Sequence, residues 1–112
     1  MPDWLARACR EIKKSEAFRE GLPAFNRLAG RSPEHVSRVL KKCTGKTPTQ
    51  IVNEARLEEA THQLCMSSKE IIDIAADCGF ENLSYFHRLF KQHYTLSPRR
   101  YRLANYAVVA SK

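Results

Sequence analysis

The stretch Ile71–Arg102, IIDIAADCGFENLSYFHRLFKQHYTLSPRRYR, decides the fold of this chain. It opens on an apolar helical pattern, breaks at Gly79 and restarts behind Asn82, a residue type that caps helix N-termini well. In the second half Leu83, Phe86, Leu89 and Phe90 recur at spacings of three and four, which places them on one face of a helix. Ser84, His87, Arg88 and Lys91 fall on the other face. Two short helices joined by a tight glycine-containing turn, the second with a basic outer face, read as a helix-turn-helix. From Ser84 to Arg102 there are five Arg or Lys and no Asp or Glu. So one-sided a surface suits phosphates.

Working outward, the rest of the chain repeats this unit. Val36-Ser37-Arg38-Val39-Leu40-Lys41 lies over Phe86-His87-Arg88-Leu89-Phe90-Lys91, Thr47-Pro48 over Ser97-Pro98, and Leu28-Ala29 over Ile74-Ala75. Arg38 and Arg88 thereby hold equivalent places on equivalent helices. Helices are expected over Trp4–Lys14, Pro23–Ala29, Pro33–Cys43, Pro48–Cys65, Lys69–Asp77, from Leu83 onward, and from Arg99 to about Ala107. Ser32-Pro33-Glu34 and Thr47-Pro48 supply a cap followed by a first-turn proline, and Ser67 with Glu70 suggests a capping box. Ser15–Gly21 reads as a polar break, with Phe18 and Leu22 tucked against the domain. Nothing alternates with a period of two for long enough to make a strand. The expected fold is all-α, two helix-turn-helix subdomains joined by a long linker helix, with about seven helices. Residues 1–46 hold the first subdomain, 47–66 the linker and 67–112 the second.

Composition narrows the partner. A net charge of +7 and a pI near 9.5 favour a polyanion, nucleic acid or an acidic membrane surface. No apolar run approaches the roughly 20 residues that span a bilayer, and the N-terminus lacks a secretory core, so a cytoplasmic protein is expected. Cys9, Cys43, Cys65 and Cys78 show no paired spacing and fit reduced, buried thiols. His35 and His87 lack a second ligand at useful spacing, so no metal and no cofactor is expected. No catalytic triad or glycine-rich phosphate loop is present, and the chain does not read as an enzyme. The linker pattern would be about 27 Å long at ~1.5 Å per residue, against ~34 Å between successive major grooves on one side of DNA. One monomer can then address two adjacent grooves.

Ile74-Ala75, Cys78-Gly79-Phe80, Ser84-Tyr85-Phe86, Arg88, Phe90-Lys91, Ser97-Pro98 and Tyr101-Arg102 resemble the C-terminal signature of the AraC/XylS transcriptional regulators. Arg38, Lys41, Gly45, Pro48, Arg56, Ala60 and Leu64 resemble its first half. The resemblance implies that bases are read from the third and sixth expected helices. Position by position it points to Glu34, Ser37 and Arg38, and to Leu83, Ser84, His87 and Arg88. Arg38 and Arg88 carry the planar fork that fits guanine O6 and N7. Lys41, Lys42, Lys91, Arg99 and Arg102 are expected to neutralise phosphates and set register. Pro2-Asp3-Trp4-Leu5, with Phe18, Gly21, Leu22 and Pro23, resembles the subgroup that regulates chitobiose-type sugar operons. In that subgroup a cupin-like sensor domain precedes the DNA-binding domain. The resemblance therefore implies double-stranded DNA and a sugar effector bound by a further domain as partners. Glu70, Asp73, Asp77 and Glu81 give the fifth expected helix an acidic edge, most simply a solvated face and otherwise a surface for a basic patch on RNA polymerase. The alternative is a stand-alone architectural or stress-response protein with weaker sequence preference. One position departs from the pattern: Thr95 stands where the family usually has glycine, and a left-handed threonine costs about 1 kcal/mol.

Overall fold

The computed structural model describes the backbone of residues 1–110 and the side chains of residues 1–105. Its regular structure is helical throughout: α1 (Asp3–Glu11), α2 (Ser15–Glu20), α3 (Leu22–Ala29), α4 (Pro33–Thr44), α5 (Pro48–Met66), α6 (Ile71–Asp77), α7 (Leu83–Tyr94) and α8 (Pro98–Ala110). None of these helices is long and apolar enough to cross a membrane. Two compact units divide within α5, Met1–Arg56 and Leu57–Lys112.

In the first unit α1 turns Leu5 and Ala8 inward, α3 adds Ala24 and Phe25, α4 adds Val36 and Leu40, and α5 adds Val52 and Ala55. Burial of these side chains, at about 1.5–3 kcal/mol for each large one, holds helices too short to persist alone. The stretch expected to be a polar break is the helix α2. It buries only Phe18, and two adjacent apolar residues, Ala17 and Phe18, in six give no periodicity to read. Leu22 is not tucked in; it is 40% exposed, because α3 turns Ala24 and Phe25 inward instead.

The second unit closes over an aromatic cluster. Phe86 and Phe90 are fully buried, with ring centroids 5.8 Å apart, and Tyr101 from α8 meets Phe90 edge-on at 5.4 Å. Such tilted and edge contacts add to simple burial. The turn from α6 to α7 is a Schellman motif. The Phe80 amide donates to the Ala75 carbonyl and the Gly79 amide to that of Ala76, with Gly79 at φ +96°.

The caps follow the sequence with one exception. Ser32, Asn82 and Ser97 each accept a hydrogen bond from the amide three residues on, at 3.3, 2.9 and 3.2 Å. Thr47 forms a reciprocal capping box with Gln50. The box expected between Ser67 and Glu70 does not form. Ser67 instead donates its hydroxyl to the Gln63 carbonyl at the end of α5, and Glu70 caps α6 without a side-chain bond. Of the thiols expected to be buried, Cys78 is, Cys9 and Cys65 are half-buried, and Cys43 is exposed on α4.

The turn after α7 keeps the left-handed geometry despite its threonine: Thr95 has φ +66°, where the equivalent Gly45 has φ +77°. Thr95→Gly relieves this strain while loosening the unfolded chain, so a net stabilisation of about 0.5–1 kcal/mol is expected in urea titration. A destabilised variant would mean that the Thr95 hydroxyl, which donates to the Tyr94 carbonyl, holds the turn.

Candidate nucleic-acid interface

The outer surface of α4 is built by its own periodicity. Val36 and Leu40 face the core, so Glu34, Ser37, Arg38 and Lys41, three and four residues apart, face solvent, with Lys42 beside them. Glu34 lies in the first turn, where a carboxylate suits the helix dipole, and Lys41 and Lys42 lie in the last. Lys41 Nζ donates to the Gly45 carbonyl at 3.0 Å and so helps close its own helix. Arg38 Nη2 donates to His35 Nδ1 at 3.0 Å. The His35 ring stacks on Trp4 of α1, with centroids 5.6 Å apart and planes 26° from parallel. Arg31 places its guanidinium carbon 4.8 Å from the centre of the Trp4 ring.

On α7 the same construction exposes Leu83, Ser84, Arg88 and Lys91. Leu83, read from the sequence both as a core residue and as a base contact, is 37% exposed. His87 is half-buried, its ring edge-on to Phe86 at 5.7 Å. The Arg88 guanidinium lies 5.3 Å from the centre of the Tyr85 ring, a cation–π contact along the helix. On α8, Arg99 and Arg100 are exposed.

Arg102 is placed differently from the other cations. It is half-buried, donating from Nε to the Leu64 carbonyl at 3.0 Å and from Nη2 to the Ser67 carbonyl at 3.2 Å. Arg56 does the same in the first unit, donating to the carbonyls of Phe18 at 2.7 Å and Arg19 at 3.2 Å. Each guanidinium thus closes the C-terminal end of a helix, α2 or α5, where carbonyls lack intrahelical partners. The sequence marked neither role, nor the contacts of Trp4, Arg31 and His35. An arginine's spacing along its own helix says nothing about carbonyls far away in the chain.

Among the described residues no group of three or more His, Cys, Asp or Glu could hold a metal ion. Both surfaces offer instead an exposed arginine fork among hydroxyl and amine donors on one helix face. That is the chemistry that grips base edges and phosphates from a major groove.

Comparisons with known proteins agree with this geometry. A family described as a helix-turn-helix domain matches residues 26–104. The chain is 46% identical over 66 residues to the HTH-type transcriptional activator RhaS of Mannheimia succiniciproducens, covering 59% of this chain and 25% of that protein. It therefore spans about a quarter of the length of such relatives. Among solved structures it resembles an AraC-type DNA-binding-domain regulator from Chromobacterium violaceum, with 26% identity, a TM-score of 0.77 and 90% of each chain covered. It also resembles the DNA-binding domain of the global transcriptional factor AdpA in complex with a target DNA. There the identity is 25% and the TM-score 0.79, covering 95% of this chain and 96% of that one.

Proposed function

We propose a function for this chain on one premise: it belongs to the AraC/XylS family of helix-turn-helix DNA-binding domains. It is a transcription-factor domain and not an enzyme. The proposal concerns how it reads DNA: α4 and α7 enter two adjacent major grooves, and Arg38 and Arg88 each grip a guanine through O6 and N7. Ser37, Ser84 and His87 supply single hydrogen bonds, Glu34 accepts from a cytosine amine, and Leu83 meets a thymine methyl. Lys41, Lys42, Lys91 and Arg99 neutralise phosphates. The observation that carries this reading is the exposure of two repeat-equivalent arginines on two helices of 12 residues, each with a side-chain N-cap and a left-handed residue at its C-terminal end. The linker length expected from the sequence, about 27 Å against ~34 Å between successive grooves, supports a single chain reaching both.

The finer role is control of a carbohydrate-utilisation operon in the bacterial cytoplasm, which the front end of the chain supports by its resemblance. Activation is the direction suggested by the relatives' name. The acidic residues on and beside α6, with Glu70, Asp73 and Glu81 exposed, form a surface for a basic patch on RNA polymerase. A sugar-binding sensor domain of the cupin type completes the regulator. An architectural DNA-bending role is the second reading, since it shares the charge and the fold.

Salt titration separates the two. The account predicts at least ~10³-fold tighter binding to a selected duplex than to random DNA at physiological salt. With six or seven phosphates neutralised, log K falls with log[salt] at a slope near −6. Lys91→Ala weakens all sequences alike and makes the slope shallower by about 1. Equal affinity for selected and random duplexes would favour the architectural role.

A further inference from the structure

We propose that His35 is a positioning residue for Arg38, and that Trp4 on α1 sets the ring that does the positioning. The inference rests on the reading that Arg38 contacts a base, and it names what aims that contact. A guanidinium has only donors and keeps its charge, so in the 3.0 Å contact Arg38 Nη2 donates and His35 Nδ1 accepts. Accepting at Nδ1 places the ring N–H on Nε2. This bond uses one of the five N–H groups of Arg38. The second proton on Nη2 and both on Nη1 remain for a two-pronged grip on guanine.

Main chain and ring are each held. The His35 backbone amide donates to the Ser32 hydroxyl that caps α4, and the face of the ring lies on Trp4. A near-parallel stack holds the plane of an imidazole while leaving its nitrogen-bearing edge free to accept. Trp4 is in turn seated by its neighbour Leu5, which is fully buried, and by the guanidinium of Arg31. A continuous set of contacts therefore runs from the N-terminal helix through Trp4 and His35 to the tip of Arg38.

The second unit shows that this arrangement is particular to the first. Under the internal repeat Tyr85 stands where His35 does, and Arg88 where Arg38 does. There the arginine lies over the ring face instead of bonding an in-plane nitrogen. Each arginine leans on an aromatic residue three positions earlier, but only in the first unit is that residue an imidazole stacked on a helix outside the helix-turn-helix. Holding a long, rotamer-rich side chain before it meets its base lowers the ordering cost of binding. The gain appears as discrimination at one base pair, not as general affinity.

The test is a set of binding titrations with this chain on a duplex selected from a random pool. Single-base variants of it are read at the position where Arg38→Ala abolishes discrimination. His35→Phe keeps a ring on Trp4 but removes the acceptor. It should lower discrimination there about 2–10-fold while random-duplex affinity and thermal unfolding stay unchanged. His35→Asn returns an acceptor close to the Nδ1 position and should restore most of the loss. Trp4→Leu should give a smaller loss in the same direction, read only if circular dichroism shows the native helix content. Unchanged discrimination in His35→Phe, with Arg38→Ala still destructive, would overturn the positioning role alone. So would failure of His35→Asn to rescue, or equal losses on all duplexes. If Arg38→Ala itself left discrimination intact, the base-reading assignment beneath the inference would fall instead.

Discussion

The double variant Arg38→Ala/Arg88→Ala is expected to bind its selected operator about 10²–10⁴-fold more weakly than the parent, with each fork contributing ~1–3 kcal/mol of discrimination. Each single variant should relax preference in one box of the site and leave the other intact. The two losses should add, because the arginines belong to separate compact units and share no partner. On random DNA the double variant should lose far less, only the charge that two arginines bring to the phosphate field. Fluorescence anisotropy at one fixed salt concentration checks both arms. Equal losses on selected and random duplexes would reduce both arginines to phosphate contacts.

The second large effect concerns folding. Arg56→Ala and Arg102→Ala each remove two charge-assisted hydrogen bonds to backbone carbonyls at a helix end. Such bonds contribute ~1.5–3 kcal/mol each when sheltered. Both arginines are only half-buried, so water replaces part of each bond, and about 2–3 kcal/mol per variant is expected. That is a large share of the stability of a small unit. Hydrogen exchange should locate the loss: lower protection in α1–α4 for Arg56→Ala, and in α6–α8 for Arg102→Ala. Lysine should not rescue either variant, because a single ammonium on a flexible stem does not reproduce a planar fork spanning two carbonyls. Gly21→Ala should mimic Arg56→Ala. Gly21 sits at φ +88°, and a Cβ there would fall on the Arg56 guanidinium. If operator affinity in Arg102→Ala fell without loss of stability, Arg102 would be a DNA contact after all.

Where apolar spacing and caps were strong, the helices were legible before any coordinates. In α4, α5 and α7 a cap residue stands before a run of apolar residues three and four apart. The repeat between the two halves then exposed Arg38 and Arg88 as a pair. The misreadings have local causes. A six-residue helix with one buried phenylalanine carries no period, so α2 looked like a loop. Ser67 could cap forward or bond backward, and Gln63 won. Cys43 lies on the stripe of Val36 and Leu40 by spacing, yet the core does not extend over the last turn of α4. What supports the site was invisible for a different reason. Trp4 meets His35, and Arg56 meets Phe18, only after the chain has folded back on itself. No pattern within a single helix encodes such a meeting.

Interference by methylation of guanine N7 on a selected duplex, combined with the number of chains bound, tests the central claim most directly. The account predicts two interfering clusters about 10 base pairs apart, from a single bound chain, one lost with Arg38→Ala and the other with Arg88→Ala. A single cluster, or two clusters that require two chains, would contradict it.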